Sequence, residues 1–115
     1  MAARNFAPSL AEFELLVLLA CLRLGSNEAY TVSIADHIQQ KTGRPIRRAN
    51  VYTTLQRLEA KRLISTHLGE PRAERGGKPR RLVEVRPTGL AAVRATTGAI
   101  QAMVGDLADL MRGTS

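Results

Sequence analysis

The chain has 115 residues and a formal net charge of +7, with 17 lysines and arginines against ten acidic residues. A hydrophobic fraction of 44% supports one modest core, which excludes a disordered tail and two ordinary domains. The single cysteine excludes an internal disulfide and a paired-cysteine metal site. No export signal or membrane span is predicted, so we expect a cytoplasmic protein without a cofactor.

The positive charge is concentrated in the middle of the sequence. Residues 40–86 hold thirteen basic and four acidic residues, a net charge of +9, whereas the remainder holds four basic and six acidic residues, a net charge of −2. Most of the central cations are arginines, whose planar guanidinium groups suit phosphate oxygens and guanine edges. This distribution favours a nucleic acid as the partner over a membrane surface.

The first predicted element is a buried helix over residues 9–24. Ser9 and Glu12 match the S-x-x-E capping box, and apolar residues then recur at helical spacing until Gly25. Cys21 lies within this apolar run and is predicted to be a small buried hydrophobe.

A shorter second helix follows, with Thr31 or Ser33 as its predicted N-cap and its end at residue 41 or 42. Gly43 is expected to end it in a left-handed conformation, and Pro45 prevents the helix from resuming. The sequence therefore predicts two helices joined by a tight turn to the next helix.

The third predicted helix spans residues 48–61 and has two contrasting faces. Val51, Leu55 and Leu58 form its core stripe. The opposite face has no acid before Glu59, unlike an ordinary solvated helix that mixes both charges. This face is predicted to approach a negative partner, the alternative being a merely exposed helix. It consists of Ala49, Asn50, Thr53, Gln56, Arg57 and Ala60, with Tyr52 and Thr54 on its flanks.

Alternating apolar and polar residues predict two short strands, over residues 64–68 and 81–86. The basic segment 69–80 between them is predicted to be the tip of a long β-hairpin, in which Gly76 and Gly77 permit close approach to a partner. Such a tip can enter a minor groove or grip phosphates, the alternative being a mobile solvated loop.

The last predicted helix is capped by Thr88 and runs to residue 111 or 112. Its roughly 24 residues would span about 36 Å, more than a domain of this size can cover with its own core. A heptad-like seam predicts that this helix pairs with the same helix of a second copy. The alternative is that it packs back on the first helix of its own chain, and both contacts can coexist. The seam consists of Val93, Ile100, Met103, Leu107 and Leu110.

The element order predicts a mainly α fold with a small β-hairpin. Residues 9–87 form a winged helix-turn-helix DNA-binding domain, and residues 88–112 form a C-terminal dimerisation helix. In this geometry the third helix lies in the major groove of double-stranded DNA and the hairpin contacts the backbone or minor groove.

The sequence resembles the PadR family of bacterial transcriptional regulators over approximately residues 10–95. The match is carried mainly by residues 49–64, in which a tyrosine follows an aliphatic residue and Arg-Leu-Glu precedes Leu-Ile. Two positions depart from the family pattern, namely Thr53, where proline is frequent, and Arg62, where glycine is frequent. Further matches are the apolar run 15–19, Tyr30, Lys78-Pro79-Arg80-Arg81 and Pro87-Thr88-Gly89.

The resemblance implies a homodimer, usually a repressor, that binds a partly palindromic operator. The single C-terminal helix is similar to the short branch of the family.

Three groups of DNA contacts are expected from side-chain chemistry. Asn50 and Thr53 are predicted to read base edges, and Ala49 to touch a thymine methyl group. Contacts that fix the register on phosphates are expected from Arg47, Arg48, Tyr52, Thr54 and Arg57, the last of which also suits a guanine. The hairpin contacts are expected from Arg75, Lys78 and Arg80.

Other classes of function fit less well. A sequence-independent RNA-binding or nucleoid-associated protein would use the same basic surface and remains the alternative. A pure oligomerisation module leaves the regional charge unexplained. Catalysis is not expected, because His37 and His67 lie on different elements and no acid cluster or nucleophile motif accompanies them.

The sequence does not identify a small-molecule effector. The chain contains no Trp, and its aromatic residues are Phe6, Phe13, Tyr30 and Tyr52. The sequence therefore gives little support for an aromatic stacking pocket between subunits.

Overall fold

The structure is a computed structural model that describes residues 9–70 and 79–113. Within them lie five helices and a two-stranded antiparallel sheet, so the predicted mainly helical fold with a small hairpin is confirmed. No helix in these residues combines the length and the apolarity needed to cross a membrane. The elements are α1 (Glu12–Leu24), α2 (Thr31–Thr42), α3 (Arg48–Ala60), β1 (Ile64–Leu68), β2 (Arg81–Val85), α4 (Pro87–Val104) and α5 (Leu107–Arg112).

Helix α1 is the centre of the fold and packs against α2, α3, α4 and β2. Its apolar run contributes to one core cluster, in which Leu18, Ile34 and Leu58 are fully buried. Each of these side chains contributes about 2–3 kcal/mol by leaving water. Cys21 is buried as predicted, and burial raises the pKa of its thiol to about 12, so the thiol is inert as a nucleophile.

The start of α1 differs from the prediction. The N-cap is Ala11 rather than Ser9, and the carboxylate of Glu14 rather than Glu12 accepts the N-cap N–H, at 3.0 Å. Glu14 also accepts a hydrogen bond from the Nζ of Lys61 on α3, at 2.8 Å. This tertiary contact explains why the capping residue differs from the one that the local pattern favours.

Glu14 is only 3% exposed. Burial alone would raise the pKa of its carboxyl group, but the hydrogen bonds from Lys61 and Ala11 and the nearby positive charges outweigh burial and hold the pKa below 4.5. A carboxylate with a lowered pKa stabilises the fold above the unfolded-state pKa. This contribution disappears as the pH falls through the folded-state pKa.

Glu14→Gln is expected to lower the free energy of unfolding by about 1–2 kcal/mol at pH 7, less than for a fully buried pair because Lys61 is partly exposed. The difference from the unmodified chain should shrink as the pH falls below about 4.5, since protonation removes the same charge. Urea unfolding at several pH values measures this. Glu12→Gln, at an exposed ion pair with Arg44, is the control and should change stability little. A pH-independent loss for Glu14→Gln would contradict the explanation.

The cap of α2 also differs from the prediction. Its N-cap is Tyr30, not Thr31 or Ser33. The hydroxyl of Ser33 accepts the Tyr30 N–H at 3.0 Å and donates to the carbonyl of Glu28 at 2.6 Å, so it supports the cap from inside the helix. At the other end Gly43 has φ 75°, which confirms the predicted left-handed end.

The two strands pair antiparallel, with Ile64 opposite Val85 and Leu68 opposite Arg81. Both predicted strands are confirmed to within one residue. The N–H of Val83 donates to the carbonyl of Ala29 at 2.8 Å, so the hairpin is also tied to the chain just before α2. This bond fixes the hairpin to the helical core.

Helix α3 ends in a left-handed residue. Arg62 has φ 63°, its N–H donates to Glu59, and the Leu63 N–H donates to the carbonyl of Leu58, which is a Schellman motif. A non-glycine residue in this conformation costs about 1–2 kcal/mol. Arg62 therefore stands where glycine would carry no strain.

The C-terminal region is not the single helix that the sequence predicts. Gly105, at φ 53° and ψ −129°, ends α4, and Asp106 becomes the N-cap of the separate helix α5. A positive φ is accessible to glycine at little cost, so Gly105 permits the change of direction.

The predicted cap of α4 is also wrong. The N-cap is Arg86, and Pro87 occupies the first helical position, where its missing N–H has no cost. The hydroxyl of Thr88 donates instead to the carbonyl of Arg62, at 2.6 Å. This bond ties the start of α4 to the end of α3.

Candidate nucleic-acid interface

Helix α3 presents the predicted polar face to solvent. Val51, Leu55 and Leu58 are buried against the core, as the stripe predicts. The exposed side chains of this helix and its N-cap include Arg47, Arg48, Ala49, Asn50, Tyr52, Thr53, Gln56 and Arg57.

The turn before α3 is fixed by side-chain hydrogen bonds. The side-chain oxygen of Gln39 accepts the Ile46 N–H at 3.2 Å, and the hydroxyl of Thr42 accepts the Arg44 N–H at 3.2 Å. These bonds hold Arg47 at the N-cap of α3, whose first turn contains no acid. The exposed Arg47 is therefore adjacent to the positive end of the helix dipole, an arrangement that favours phosphate.

Two cations near this face are already neutralised. The guanidinium of Arg44 donates to both carboxylate oxygens of Glu12, at 3.1 and 2.8 Å, and Lys61 is paired with Glu14. The hydrogen bond from Arg44, and then its charge, hold the pKa of Glu12 below its ordinary value. The net positive charge that residues 40–86 present to a ligand is therefore smaller than the +9 counted from the sequence.

Thr54 does not belong to the exposed face. It is 5% exposed, so its side chain has little surface for the phosphate contact that the sequence predicted. Tyr52, on the other flank, is 55% exposed, and its hydroxyl accepts a hydrogen bond from Gln56 at 3.4 Å. The phosphate contact of Thr54 stays a prediction, for which only a small part of the side chain is available.

A shallow depression of about 370 Å³ lies beside the exposed face of α3. Asn50, Thr53, Thr54 and Arg57 line it together with Phe13 of α1. The sequence does not identify Phe13 as a residue of this site, because its local pattern does not reveal that it lies next to α3. The depression places an apolar ring next to the residues predicted to read bases, where it can meet a thymine methyl group or a sugar.

At the base of the hairpin, Arg80 packs on Tyr30, the N-cap residue of α2. Its guanidinium carbon lies 4.5 Å from the centre of the Tyr30 ring, and its Nε is buried without a hydrogen-bond partner among the described residues. This packing competes with the DNA contact predicted for Arg80. Arg75 and Lys78, the other two predicted hairpin contacts, lie outside the described residues.

A second connection joins α3 to both strands. The Thr66 hydroxyl donates to the carboxylate of Glu59 at 3.1 Å and accepts from the guanidinium of Arg81 at 3.0 Å. These two hydrogen bonds therefore fix the orientation of the hairpin relative to α3. Sequence reasoning missed this connection, since it joins residues on three different elements.

The residues of the predicted dimerisation seam fall into two groups. Val93 is 7% exposed and belongs to the core of its own subunit, so its predicted place in the seam is wrong. The other four side chains are 47–82% exposed. They are Ile100, Met103, Leu107 and Leu110.

The titratable side chains do not assemble into a metal site in the part of the chain that the structure describes. No group of three His, Cys, Asp or Glu side chains there could hold a metal ion. His37 lies on α2 and His67 on β1.

A helix-turn-helix with an exposed third helix, followed by a two-stranded hairpin, defines a winged helix-turn-helix, the fold of a large class of DNA-binding transcription regulators. The model of the transcriptional regulator PadR-like family matches residues 18–95. The chain belongs to this family.

Solved structures share the fold at low sequence identity. A transcriptional regulator from Clostridium thermocellum is 19% identical, with a TM-score of 0.66 over 84% of this chain and 89% of that one. A PadR family regulator from Eggerthella lenta is 22% identical, with a TM-score of 0.65 over 87% and 86%. S. aureus MepR, in a DNA complex, is 18% identical, with a TM-score of 0.59 over 91% and 73%. No curated protein matches the chain.

Proposed function

We propose that the chain is a homodimeric repressor that binds a partly palindromic operator in the cytoplasm. Helix α3 of each subunit enters the major groove, and the hairpin contacts the flanking backbone or minor groove. Residues 9–87 form the DNA-binding domain, and the segment 88–112 joins the two subunits.

The observation that carries this proposal is the composition of the exposed face of α3. It combines Asn50 and Thr53, which can hydrogen-bond to base edges, with Arg47, Arg48 and Arg57, which can neutralise phosphates. Because the core stripe on the other side of the helix is buried, this face points to solvent. The known DNA complex of MepR, which has the same fold, supports this use of the fold.

The dimer is supported by the apolar face of α4. Near its start this face packs in the subunit's own core through Ala92 and Val93. The same side of the helix continues into Ile100, Met103 and Val104, which are exposed because the core ends before them. A second copy would cover this surface in a symmetric contact.

Selection of bound duplexes from a random pool tests the proposal directly. We expect enriched sequences with two inverted half-sites about one helical turn apart, centre to centre. A pool without enrichment would favour the alternative, a sequence-independent RNA-binding or nucleoid-associated protein. Competition at fixed salt separates the two, because a specific regulator should prefer its own site over random duplex or structured RNA by about 10³-fold or more.

Asn50→Ala is expected to weaken binding to the selected operator by about tenfold to a hundredfold and to leave binding to random duplex nearly unchanged, since a base contact contributes about 1–3 kcal/mol of discrimination. Fluorescence anisotropy with both duplexes at one salt concentration measures this. Gln101→Ala, an exposed position of α4, is the matched control and should bind both duplexes normally. An equal loss on both duplexes would show that Asn50 contacts the backbone instead.

A further inference from the structure

A cavity of about 230 Å³ lies where α3, both strands of the hairpin and Thr31 at the start of α2 meet. It is smaller than the pockets of about 300–1,000 Å³ that hold drug-sized ligands, so it suits a smaller molecule. We call it the α3–hairpin cavity. Its lining includes Tyr52, Leu55, Glu59, Thr66, Arg81 and Val83.

The polar part of the α3–hairpin cavity holds two opposite charges. The Thr66 hydroxyl lies between them, 3.1 Å from a carboxylate oxygen of Glu59 and 3.0 Å from a guanidinium nitrogen of Arg81. The two charged groups are therefore about 6 Å apart or less. Within the part of the chain that the structure describes, the second carboxylate oxygen of Glu59 and the other guanidinium N–H groups of Arg81 have no partner. Both groups can therefore bind a ligand.

The cavity also has an apolar part. Leu55 of α3 is 7% exposed and Val83 of β2 is 1% exposed, and both line it. Tyr52 lines it as well and is 55% exposed, so a bound molecule can cover part of its side chain. An apolar group of a ligand is stabilised here by leaving water.

This combination of groups favours a ligand that carries both charges. A molecule with a carboxylate or a phosphate alone would be attracted by Arg81 but repelled by Glu59, and an amine alone would meet the converse repulsion. A DNA backbone phosphate would meet the same repulsion and would gain nothing from Leu55 and Val83. A small zwitterion satisfies both charges, with its carboxylate at the guanidinium and its ammonium group at the carboxylate.

We propose that the α3–hairpin cavity binds a small α-amino acid with an apolar side chain, and that the bound amino acid weakens operator binding. The two charged groups of an α-amino acid are joined through one carbon atom, which fits the short separation of Glu59 and Arg81. Its side chain covers Leu55 and Val83.

The effect on the operator rests on the proposed function. Tyr52 lines the cavity and is also a predicted phosphate contact, so an amino acid that packs on it competes with that contact. Binding of the amino acid and of DNA must then weaken each other by the same factor.

Isothermal titration calorimetry of the full chain without DNA tests the site, with L-leucine as the probe. Two analogues keep its apolar part and one charge each, namely 4-methylpentanoate, which lacks the ammonium group, and 3-methylbutylamine, which lacks the carboxylate. Leucine should bind at least about tenfold tighter than either, because one hydrogen bond between charged groups is sufficient for that factor. Glycine, which has both charges and no side chain, should bind more weakly than leucine.

Two variants identify the groups that bind the charges. Glu59→Gln and Arg81→Gln should each weaken leucine binding by about tenfold or more. Glu59→Gln should also bind 4-methylpentanoate more tightly than the unmodified chain does, because the repulsion is removed, and Arg81→Gln should do so for 3-methylbutylamine. Such gains cannot result from loss of folding. Glu84→Gln is the matched control, since this exposed residue lies on the opposite face of β2 from Arg81.

Fluorescence anisotropy measures the effect on DNA. Saturating leucine should weaken binding of the selected operator by about fivefold or more. Leucine binding without a change in operator affinity would overturn the regulatory role. If leucine binds as expected and the chain binds no operator, the proposed function fails and the amino-acid site stands.

Three calorimetric results would overturn the site itself. In the first, leucine binds no tighter than its two analogues. In the second, Glu84→Gln weakens leucine binding as much as Glu59→Gln does. In the third, inorganic phosphate binds more tightly than leucine, which would assign the cavity to the DNA backbone instead.

Discussion

Replacement of Gly89 by alanine is expected to lower the free energy of unfolding by about 3 kcal/mol, the upper part of the range for overpacked sites. Gly89 is buried in the first turn of α4. A Cβ there would lie 2.3 Å from the carbonyl oxygen of Leu63 and 2.9 Å from a methyl group of Val85. The Leu63 carbonyl cannot move away cheaply, because it accepts the Arg86 N–H at 2.9 Å.

Gly98→Ala supplies the matched control in the same helix. A Cβ at Gly98 would meet nothing within 4 Å. Alanine should therefore stabilise α4 by up to about 1 kcal/mol through helix propensity alone. Urea unfolding of both variants measures the contrast. If both substitutions changed stability equally, the close approach of α4 to the start of β1 would not be the reason for glycine at residue 89.

The parts of the fold that the sequence predicts well are those set by local patterns. The core stripe Val51, Leu55 and Leu58 follows from helical periodicity, and the left-handed Gly43 follows from its place at the end of α2. The capping residue of α1 was not predictable in this way. The local pattern favours Ser9, whereas the structure uses Glu14 because Lys61 on α3 meets it.

In the candidate site, too, local patterns predict some features and tertiary contacts determine the others. Periodicity predicts the exposed face of α3 but places Thr54 at its edge, and only tertiary packing reveals that this side chain is buried. The charge pattern includes Arg80 among the hairpin cations, yet its stacking on Tyr30 depends on a contact between distant parts of the chain. Val93 matches the heptad seam, but helix α1 of its own subunit covers that part of α4. Spacing alone cannot identify which neighbour buries an apolar residue.

Met103→Glu is expected to have the largest effect on function. Met103 is 82% exposed on the projecting part of α4, and the proposed dimer would bury it. A glutamate there would have to lose its hydration in an apolar contact, so dimerisation should weaken by about a hundredfold or more. Operator binding should fall in parallel, since joining two half-site contacts raises affinity by about 10²–10⁴-fold.

Gln101→Glu provides the control for Met103→Glu, because it adds the same charge to an exposed position on the opposite side of the same helix. It should leave the dimer intact and reduce DNA affinity only slightly. Sedimentation equilibrium measures the dimer, and anisotropy with one-half-site and two-half-site duplexes measures the DNA contact. Met103→Glu should bind both duplexes with similar, weak affinity, because a monomer uses one half-site. If Met103→Glu kept a dimer as tight as Gln101→Glu does, the subunits would associate through another surface, and the exposed end of α4 would need a different partner.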